Sequence, residues 1–374
     1  CSSVKNVTFS KGLTSIGVGA FLHCRKLTNI NLPEGLTTIG GNAFYNCGNI
    51  ANITIPNSVT HIGAGALKGV TGNARINCNI PDQMSDGSGW FSGTLFSEVV
   101  FGEGVTSVGR SAFYGCNSLT SATLSQSISS IGSSSFYGCS NLASINLPEG
   151  LMSIGEAAFY DCQSLTSLIL PKDITAIKDS TFYGCSKLAS ISLAEGLKTI
   201  GNSAFKRCYN LASINLPEGL TSIGGSAYNV CTTLTSIIIP TSVTTIGDSA
   251  FSHCYKLTSV ALPARLTEIA NYLFFGCSVL AHITIPYMMT SIGEYAFAYC
   301  NFSEINLPGS MESIGQYAFD SCRGLNRVYL LATIPPKGTT NMFPKTCIIY
   351  VVKGSVDAYT ASKVWNYYNI KGYY

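Results

Sequence analysis

The sequence predicts a repeat solenoid of 23-residue units, with a parallel β-sheet along one side of each coil and short turns or brief strands along the other. Two observations support this prediction. Cysteines recur at intervals of 23 residues, or multiples of 23, from Cys1 to Cys277 and on to Cys300, and a fixed interval of this size indicates stacked coils. Eight apolar positions also recur within each interval, so each unit needs its neighbours to bury them.

The unit that starts at Cys139 shows the pattern most clearly, with its cysteine counted as position 1. Ile145 and Leu147, at positions 7 and 9, alternate with polar residues, which predicts a short strand. Pro148 ends that strand because proline has no N–H group to donate to a sheet. Position 16 is almost always Ile and position 21 almost always Phe. Stacked about 4.8 Å apart, the units should form continuous rows of these side chains, over about 15 units in this frame.

The unit over 70–92 departs most from the pattern, because Val70 stands where the cysteine is expected. We expect Ile76 and Cys78 at its two inward strand positions, and a loop over 79–89. The next unit recovers the frame, which predicts a bulge in the solenoid and not a break. The loop also contains two Asp and two Gly residues, and a calcium loop is the weaker alternative because the spacing of a Ca²⁺-binding loop is missing.

The end of the chain is predicted to close the array. The apolar run over 348–352 predicts a last strand, and 355–368 predicts an amphipathic helix with Ser355 as its N-cap. The residues expected to face the last coil are Val356, Tyr359, Val364 and Tyr367. The predicted organisation is therefore a repeat array over 1–346 and a C-terminal cap, made of a strand and a helix, over 347–374.

The composition argues against several functions. Net charge is +3, and only 11% of residues are charged, against roughly 25% in typical soluble domains. This balance, without a basic run, argues against nucleic acid as a partner. No stretch reaches the roughly 18 apolar residues of a membrane span. Because no catalytic, phosphate-binding or dinucleotide-binding motif occurs, we expect no enzymatic activity and no cofactor.

The 15 cysteines and four histidines raise the question of disulfides and metals. Stacked cysteines should keep their Cβ atoms near the coil spacing of about 4.8 Å, whereas a disulfide needs about 3.5–4.5 Å. We therefore expect buried thiols that act as small apolar side chains. The histidines occupy different repeat positions or distant units, so no metal site is expected. Cys1 also stands in the frame of the ladder, and we expect the natural chain to continue upstream of it.

Eight residues are candidates for contact with a ligand. Four share position 22 in consecutive repeats: Tyr114, Tyr137, Tyr160 and Tyr183. Trp90 lies in the irregular repeat. Three larger residues occupy outward strand positions near the C-terminus, where earlier repeats carry small residues: His282, Arg327 and Tyr329. A second tyrosine row occupies position 19, at Tyr272, Tyr295 and Tyr317. The alternatives are that the tyrosine rows are packing ladders and that the C-terminal residues reflect drift near the end of an array.

The repeated pattern C-x-x-L-x-x-I-x-L-P-x-x-L-x-x-I-G-x-x-A-F resembles the BspA-type, or Treponema-type, leucine-rich repeat over nearly the whole chain. The resemblance implies a right-handed leucine-rich repeat solenoid with its strands on the concave face. It also implies a bacterial or protist protein that is secreted or lies on the cell surface, with a role in adhesion to host proteins. It brings no catalytic residues.

From these features we expect a monomer that binds a protein or glycan ligand on a host or neighbouring cell. A passive spacer within a larger surface protein is the alternative.

Overall fold

The computed structural model describes residues 3–81 and 89–373, which form two compact units, Cys1–Ala194 and Glu195–Tyr374. Within each unit, strands pair in parallel with their counterparts in neighbouring coils. Paired residues lie 23 positions apart, as in Ala122 with Ile145. The predicted parallel solenoid is therefore confirmed.

The first compact unit, Cys1–Ala194, carries two rows of strands. The first row contains nine strands, of which the first seven pair in chain order and the last two pair with each other. The row consists of β1 (Asn6–Val7), β3 (Asn29–Ile30), β5 (Asn52–Ile55), β7 (Thr71–Ile76), β8 (Leu95–Phe101), β10 (Ser121–Thr123), β12 (Ser144–Asn146), β14 (Ser167–Ile169) and β16 (Ser190–Ser192). The second row has two-residue strands: β2 (Ser15–Ile16), β4 (Thr38–Ile39), β6 (His61–Ile62), β9 (Ser107–Val108), β11 (Ser130–Ile131), β13 (Ser153–Ile154) and β15 (Ala176–Ile177).

The second unit repeats this arrangement and adds the C-terminal elements. Its first row contains β19 (Ser236–Ile238), β21 (Ser259–Ala261), β24 (Glu304–Leu307), β26 (Arg327–Leu330), β27 (Ile348–Val352) and β28 (Asn369–Tyr373). Its second row contains β17 (Thr199–Ile200), β18 (Ser222–Ile223), β20 (Thr245–Ile246), β22 (Glu268–Ile269), β23 (Ser291–Ile292) and β25 (Ser313–Ile314). The helix α1 (Val356–Ala361) lies between two 3-10 turns, Lys353–Ser355 and Trp365–Tyr367.

The core consists of rows of identical side chains. In the first unit, Phe136 stacks on Phe159 with ring centroids 5.5 Å apart and 1° between the ring planes. Ile154 is buried and pairs with Ile131. Gly155 follows it because a Cβ there would lie 2.3 Å from the backbone nitrogen of Ser133 in the preceding coil. The coils thus approach closely on this side, which lets one backbone hydrogen-bond to the next.

The cysteines of the described chain are buried thiols, as expected. The thiol of Cys139 donates a hydrogen bond to the carbonyl oxygen of Phe113, at 3.1 Å, and Cys162 repeats this contact with Phe136 at 3.2 Å. Both thiols therefore have an acceptor in a neighbouring coil, and this part of the ladder is a packing element.

The irregular unit keeps its frame by compensation. Asn52 pairs with Asn73, 21 residues further on, and Asn73 pairs with Glu98, 25 residues further on, with a bulge at Gly72. The two intervals together equal two regular units. Ile76 and Cys78 are both buried, as expected, but the strand ends at Ile76, so Cys78 lies just beyond it. The two inward strand positions fall on Ala74 and Ile76, because this coil reaches its strand two residues early. Most of the candidate calcium loop, 82–88, lies outside the described residues.

The C-terminal cap is shorter in helix and longer in strand than predicted. The helix expected over 355–368 ends at Ala361, and the chain then adds β28, which pairs with β27. Tyr367, expected to face the last coil, is exposed, and Trp365 is buried in its place. The indole N–H of Trp365 donates to the carbonyl oxygen of Pro336 at 2.8 Å. Helical spacing gave the wrong inward-facing residues after Ala361, because the α-helix ends there.

Candidate functional site

The four tyrosines at position 22 of their repeats form one column in the first compact unit, Cys1–Ala194. Successive ring centroids lie 4.7, 4.4 and 4.4 Å apart from Tyr114 through Tyr137 and Tyr160 to Tyr183, with at most 7° between neighbouring planes. Each ring therefore covers the face of the next. The column offers hydroxyl groups and ring edges to a ligand, but few open ring faces for a sugar or side chain to stack on.

The two middle phenol groups of this column, those of Tyr137 and Tyr160, have raised pKa values. Burial raises the pKa of Tyr137, and the neighbouring Tyr114 phenol and the Asp161 carboxylate raise it further. Burial also raises the pKa of Tyr160, together with its hydrogen bond and electrostatic contact with Tyr183. The middle of the column therefore presents protonated phenols that can form hydrogen bonds, as a packing ladder would.

Two of the three residues predicted near the C-terminal end of the sheet, Arg327 and Tyr329, come together on one surface. We call the open side of β24, β26, β27 and β28 the end face. Parallel pairing places Tyr329 directly beside Tyr350, and their rings stack with centroids 5.1 Å apart. The ring of Tyr373 lies 5.0 Å from that of Tyr329, at an angle of 58°. Three tyrosines from three neighbouring strands thus form one partly exposed cluster.

A charged pair borders this cluster. The guanidinium Nε of Arg327 lies 3.6 Å from the carboxylate Oε2 of Glu304 on the neighbouring strand, and both side chains are about half exposed. Such an exposed pair adds little to stability, about 0–1 kcal/mol. It does hold Arg327 next to Tyr329, so an aromatic surface and a hydrogen-bonding cation are presented together.

The same side of the earlier strands is different in character. Its outward positions are mostly small polar residues, such as Ser144 and Asn146 in β12. The exceptions include Arg75 and Val100 in the irregular region, and Ile169 and Ile238, which are 75% and 73% exposed. Ile169 and Ile238 lie in different compact units. Within the described first-row strands, an aromatic cluster across neighbouring strands therefore occurs at the end face.

Two other predicted residues do not join the end face. His282 is exposed, and it has no hydrogen bond or aromatic contact in the described structure. Trp90 is buried, and its indole N–H has no hydrogen-bond partner among the described residues. The Trp90 ring is therefore part of the core, as is the neighbouring Phe91, and it is not accessible to a ligand.

Tyr350 and Tyr373 complete the end face, and they were not among the predicted site residues. Tyr350 follows Tyr329 by 21 residues, outside the 23-residue frame used to align the units. Both 327–330 and 348–352 alternate inward and outward residues. Aligning these two patterns would have placed Tyr350 beside Tyr329. Tyr373 was hidden because β28 was not predicted.

The described residues hold neither a metal cluster nor a membrane-spanning helix. Within 3–81 and 89–373, no three His, Cys, Asp or Glu side chains converge as metal ligands. Over the same residues, each helix is too short or too polar to cross a bilayer.

Fold and repeat chemistry together define a leucine-rich repeat solenoid. A sequence profile of the BspA type leucine-rich repeat region matches six copies over residues 1–120, 106–224 and 198–326. The chain belongs to the BspA-type leucine-rich repeat family.

Among solved structures, the chain is similar to several leucine-rich repeat proteins, and the first of these shows the same architecture. A leucine-rich repeat protein from Bacteroides ovatus is 26% identical and has a TM-score of 0.73, over 100% of this chain and 92% of that one. A leucine rich cell surface protein from Faecalibacterium prausnitzii is 24% identical with a TM-score of 0.41, over 75% of this chain and 88% of that one. The leucine-rich repeat protein of T. pallidum is 27% identical with a TM-score of 0.37, over 54% and 87%. A comparison with curated protein sequences gives no match.

Proposed function

We propose that this chain is a non-enzymatic, adhesin-like binding protein, secreted or on the bacterial cell surface, and that its end face holds a protein or glycan ligand. The stacked pair Tyr329 and Tyr350 is the observation that carries the proposal. Tyrosine and arginine are enriched among the residues that dominate binding energy, and here they lie together, whereas the rest of the sheet side carries mostly small polar residues.

The geometry of the end face suits recognition more than packing. Tyr329, Tyr350 and Tyr373 touch one another, so little side-chain freedom remains to be lost when a ligand binds. Their hydroxyl groups supply hydrogen bonds, and Arg327 supplies directional donors. Family membership supports a location outside the cell, and the tyrosine column from Tyr114 to Tyr183 remains a secondary candidate for ligand contact. We retain the division into an array over 1–346 and a cap over 347–374 as part of this proposal.

The spacer role is the alternative, and one screen separates the two. The purified chain would be immobilised and tested against host matrix proteins and against a glycan array. A binding protein should retain at least one of these reproducibly, and the bound ligand should be displaced by soluble chain. A clean negative across both screens would favour the spacer and contradict the adhesin-like role.

A further inference from the structure

A second aromatic surface lies in the unit Glu195–Tyr374, on the turn side of the coils. We call it the aromatic patch, and its members are His253, Tyr255, Tyr272, Phe275, Tyr295, Tyr299 and Tyr317. Tyr272 stacks on Tyr295 at 5.0 Å, whereas Tyr299 meets Phe275 at 5.3 Å and 71°. Tyr299 and Tyr255 are 50% and 44% exposed. Their angled contacts leave ring surface open to solvent, unlike the column in the first unit.

The backbone under this patch is unusual for tyrosine. Tyr272, Tyr295 and Tyr317 have φ values of 56°, 51° and 58°, and Tyr299 has 64°. Bulky side chains avoid this left-handed region. Three preceding coils place serine at position 19 with the same backbone, at Ser203, Ser226 and Ser249. This backbone is a feature of the repeat, and because serine satisfies it, the fold does not require tyrosine at this position.

Carboxylates border the aromatic patch. The backbone N–H of Tyr272 donates to the carbonyl oxygen of Glu294 at 2.8 Å, and that of Tyr299 donates to the carbonyl oxygen of Asp320 at 2.9 Å. Both acidic residues therefore lie in the coils that carry the rings. Burial and the phenols of Tyr317 and Tyr272 raise the pKa of Tyr295, and the carboxylates of Asp320 and Glu294 raise it further. The patch is thus within electrostatic reach of two negative charges.

A groove of about 1040 Å³ follows the second strand row of the same unit. Its lining runs through successive coils from Thr199 to Thr339, and its charged members are Asp248, Glu268, Glu294 and Lys337. Glu294 belongs to the groove and also precedes Tyr295 of the aromatic patch. The groove and the patch are therefore adjacent, and the groove lining carries more negative than positive charge.

We infer that the aromatic patch and the acidic groove beside it bind an extended, arginine-bearing segment of a partner protein. A guanidinium group stacks on tyrosine faces and forms paired hydrogen bonds with carboxylates, so both components of this surface select the same side chain. An extended segment along the groove would meet Asp248, Glu268 and Glu294 in turn. This site is separate from the end face and does not depend on the function proposed for it.

The test uses fluorescence anisotropy with the whole chain and a labelled peptide of alternating Arg and Ser. We expect binding of this peptide, no binding of a matched Glu–Ser peptide, and a Kd that rises at least about tenfold between about 0.1 M and about 1 M salt. The triple variant Tyr272→Ser/Tyr295→Ser/Tyr299→Ser should weaken binding at least about tenfold. It should still fold, because serine occupies the corresponding positions at Ser226 and Ser321 with the same backbone.

Two controls make the result specific. Tyr209→Ser removes an exposed tyrosine of the same unit outside the patch and should leave the Kd unchanged. Tyr329→Ser on the end face should also leave it unchanged, which separates the two sites. Equal binding by the triple variant, or by the Glu–Ser peptide, would overturn the inference. Tighter binding of a cationic chitosan oligosaccharide than of the Arg–Ser peptide would also overturn it, because the ligand would then be a glycan.

Discussion

Tyr228 stacks on Phe251 with ring centroids 5.4 Å apart and 3° between the planes, yet its buried hydroxyl group has no hydrogen-bond partner among the described residues. Within the unit Glu195–Tyr374, it stands in a row otherwise built of phenylalanine. An unpaired buried hydroxyl group costs about 1–3 kcal/mol. Burial accordingly raises the pKa of Tyr228, since a phenolate would be costlier still.

Tyr228→Phe should therefore stabilise the protein. We expect the free energy of unfolding to rise by about 1 kcal/mol, measured by urea denaturation followed by circular dichroism. Phe251→Tyr, which adds a hydroxyl group to the next ring of the row, is the matched control and should lower it. A Tyr228→Phe variant less stable than the parent would show that the hydroxyl group has a partner in solution.

Ile154→Asp tests the interior of the coil. The side chain is buried and paired with Ile131 in the neighbouring coil, so an unpaired carboxylate there should cost about 3–5 kcal/mol. Ser153→Asp, one residue earlier and exposed, should change stability by less than about 0.5 kcal/mol. Thermal unfolding of both variants compares them directly, and equal midpoints would contradict the inward placement of position 16.

The thiol ladder predicts a loss of stability at high pH. Burial raises the pKa of Cys47 and Cys116 to about 11 and that of Cys254 to about 12. In the unfolded chain thiols ionise near pH 8.5, so above that pH the native state holds more protons than the unfolded state. Stability should then fall as pH rises, while below about pH 8 the thiols should add no slope.

Urea midpoints measured in reductant from about pH 7 to about pH 10 would show this. Cys116→Ala removes one buried thiol from the ladder and should make the decline shallower. A midpoint that stays constant across the whole range would mean that the thiols ionise equally in both states, and hence that they are not buried.

Sequence periodicity predicted the interior well because each inward position repeats. The rows through Ile154 and Phe159 follow from spacing alone, and the structure confirms them. Periodicity did not reveal the left-handed backbone under Tyr272 and Tyr299, since backbone dihedral angles leave no mark on hydrophobic spacing. It failed in the cap, where helical spacing placed Tyr367 inside although the chain had already left the helix.

The candidate site was predictable only in part. Arg327 and Tyr329 stood out because they break a repeated pattern of small residues. Tyr350 and Tyr373 belong to strands that lie outside the frame, and their contact with Tyr329 follows from pairing across β26, β27 and β28. Trp90 was misleading for a related reason, because an irregular unit gives no register from which to predict its direction.

Ligand binding at the end face, where the chain departs from its repeat, is the centre of the proposed function. Its most direct test compares the parent chain with Tyr329→Ser/Tyr350→Ser by surface plasmon resonance, against whichever matrix protein or glycan the screen retains. We predict at least about a tenfold loss of affinity with a thermal midpoint close to that of the parent. Unchanged affinity in a folded double variant would contradict the claim and place the ligand on another surface.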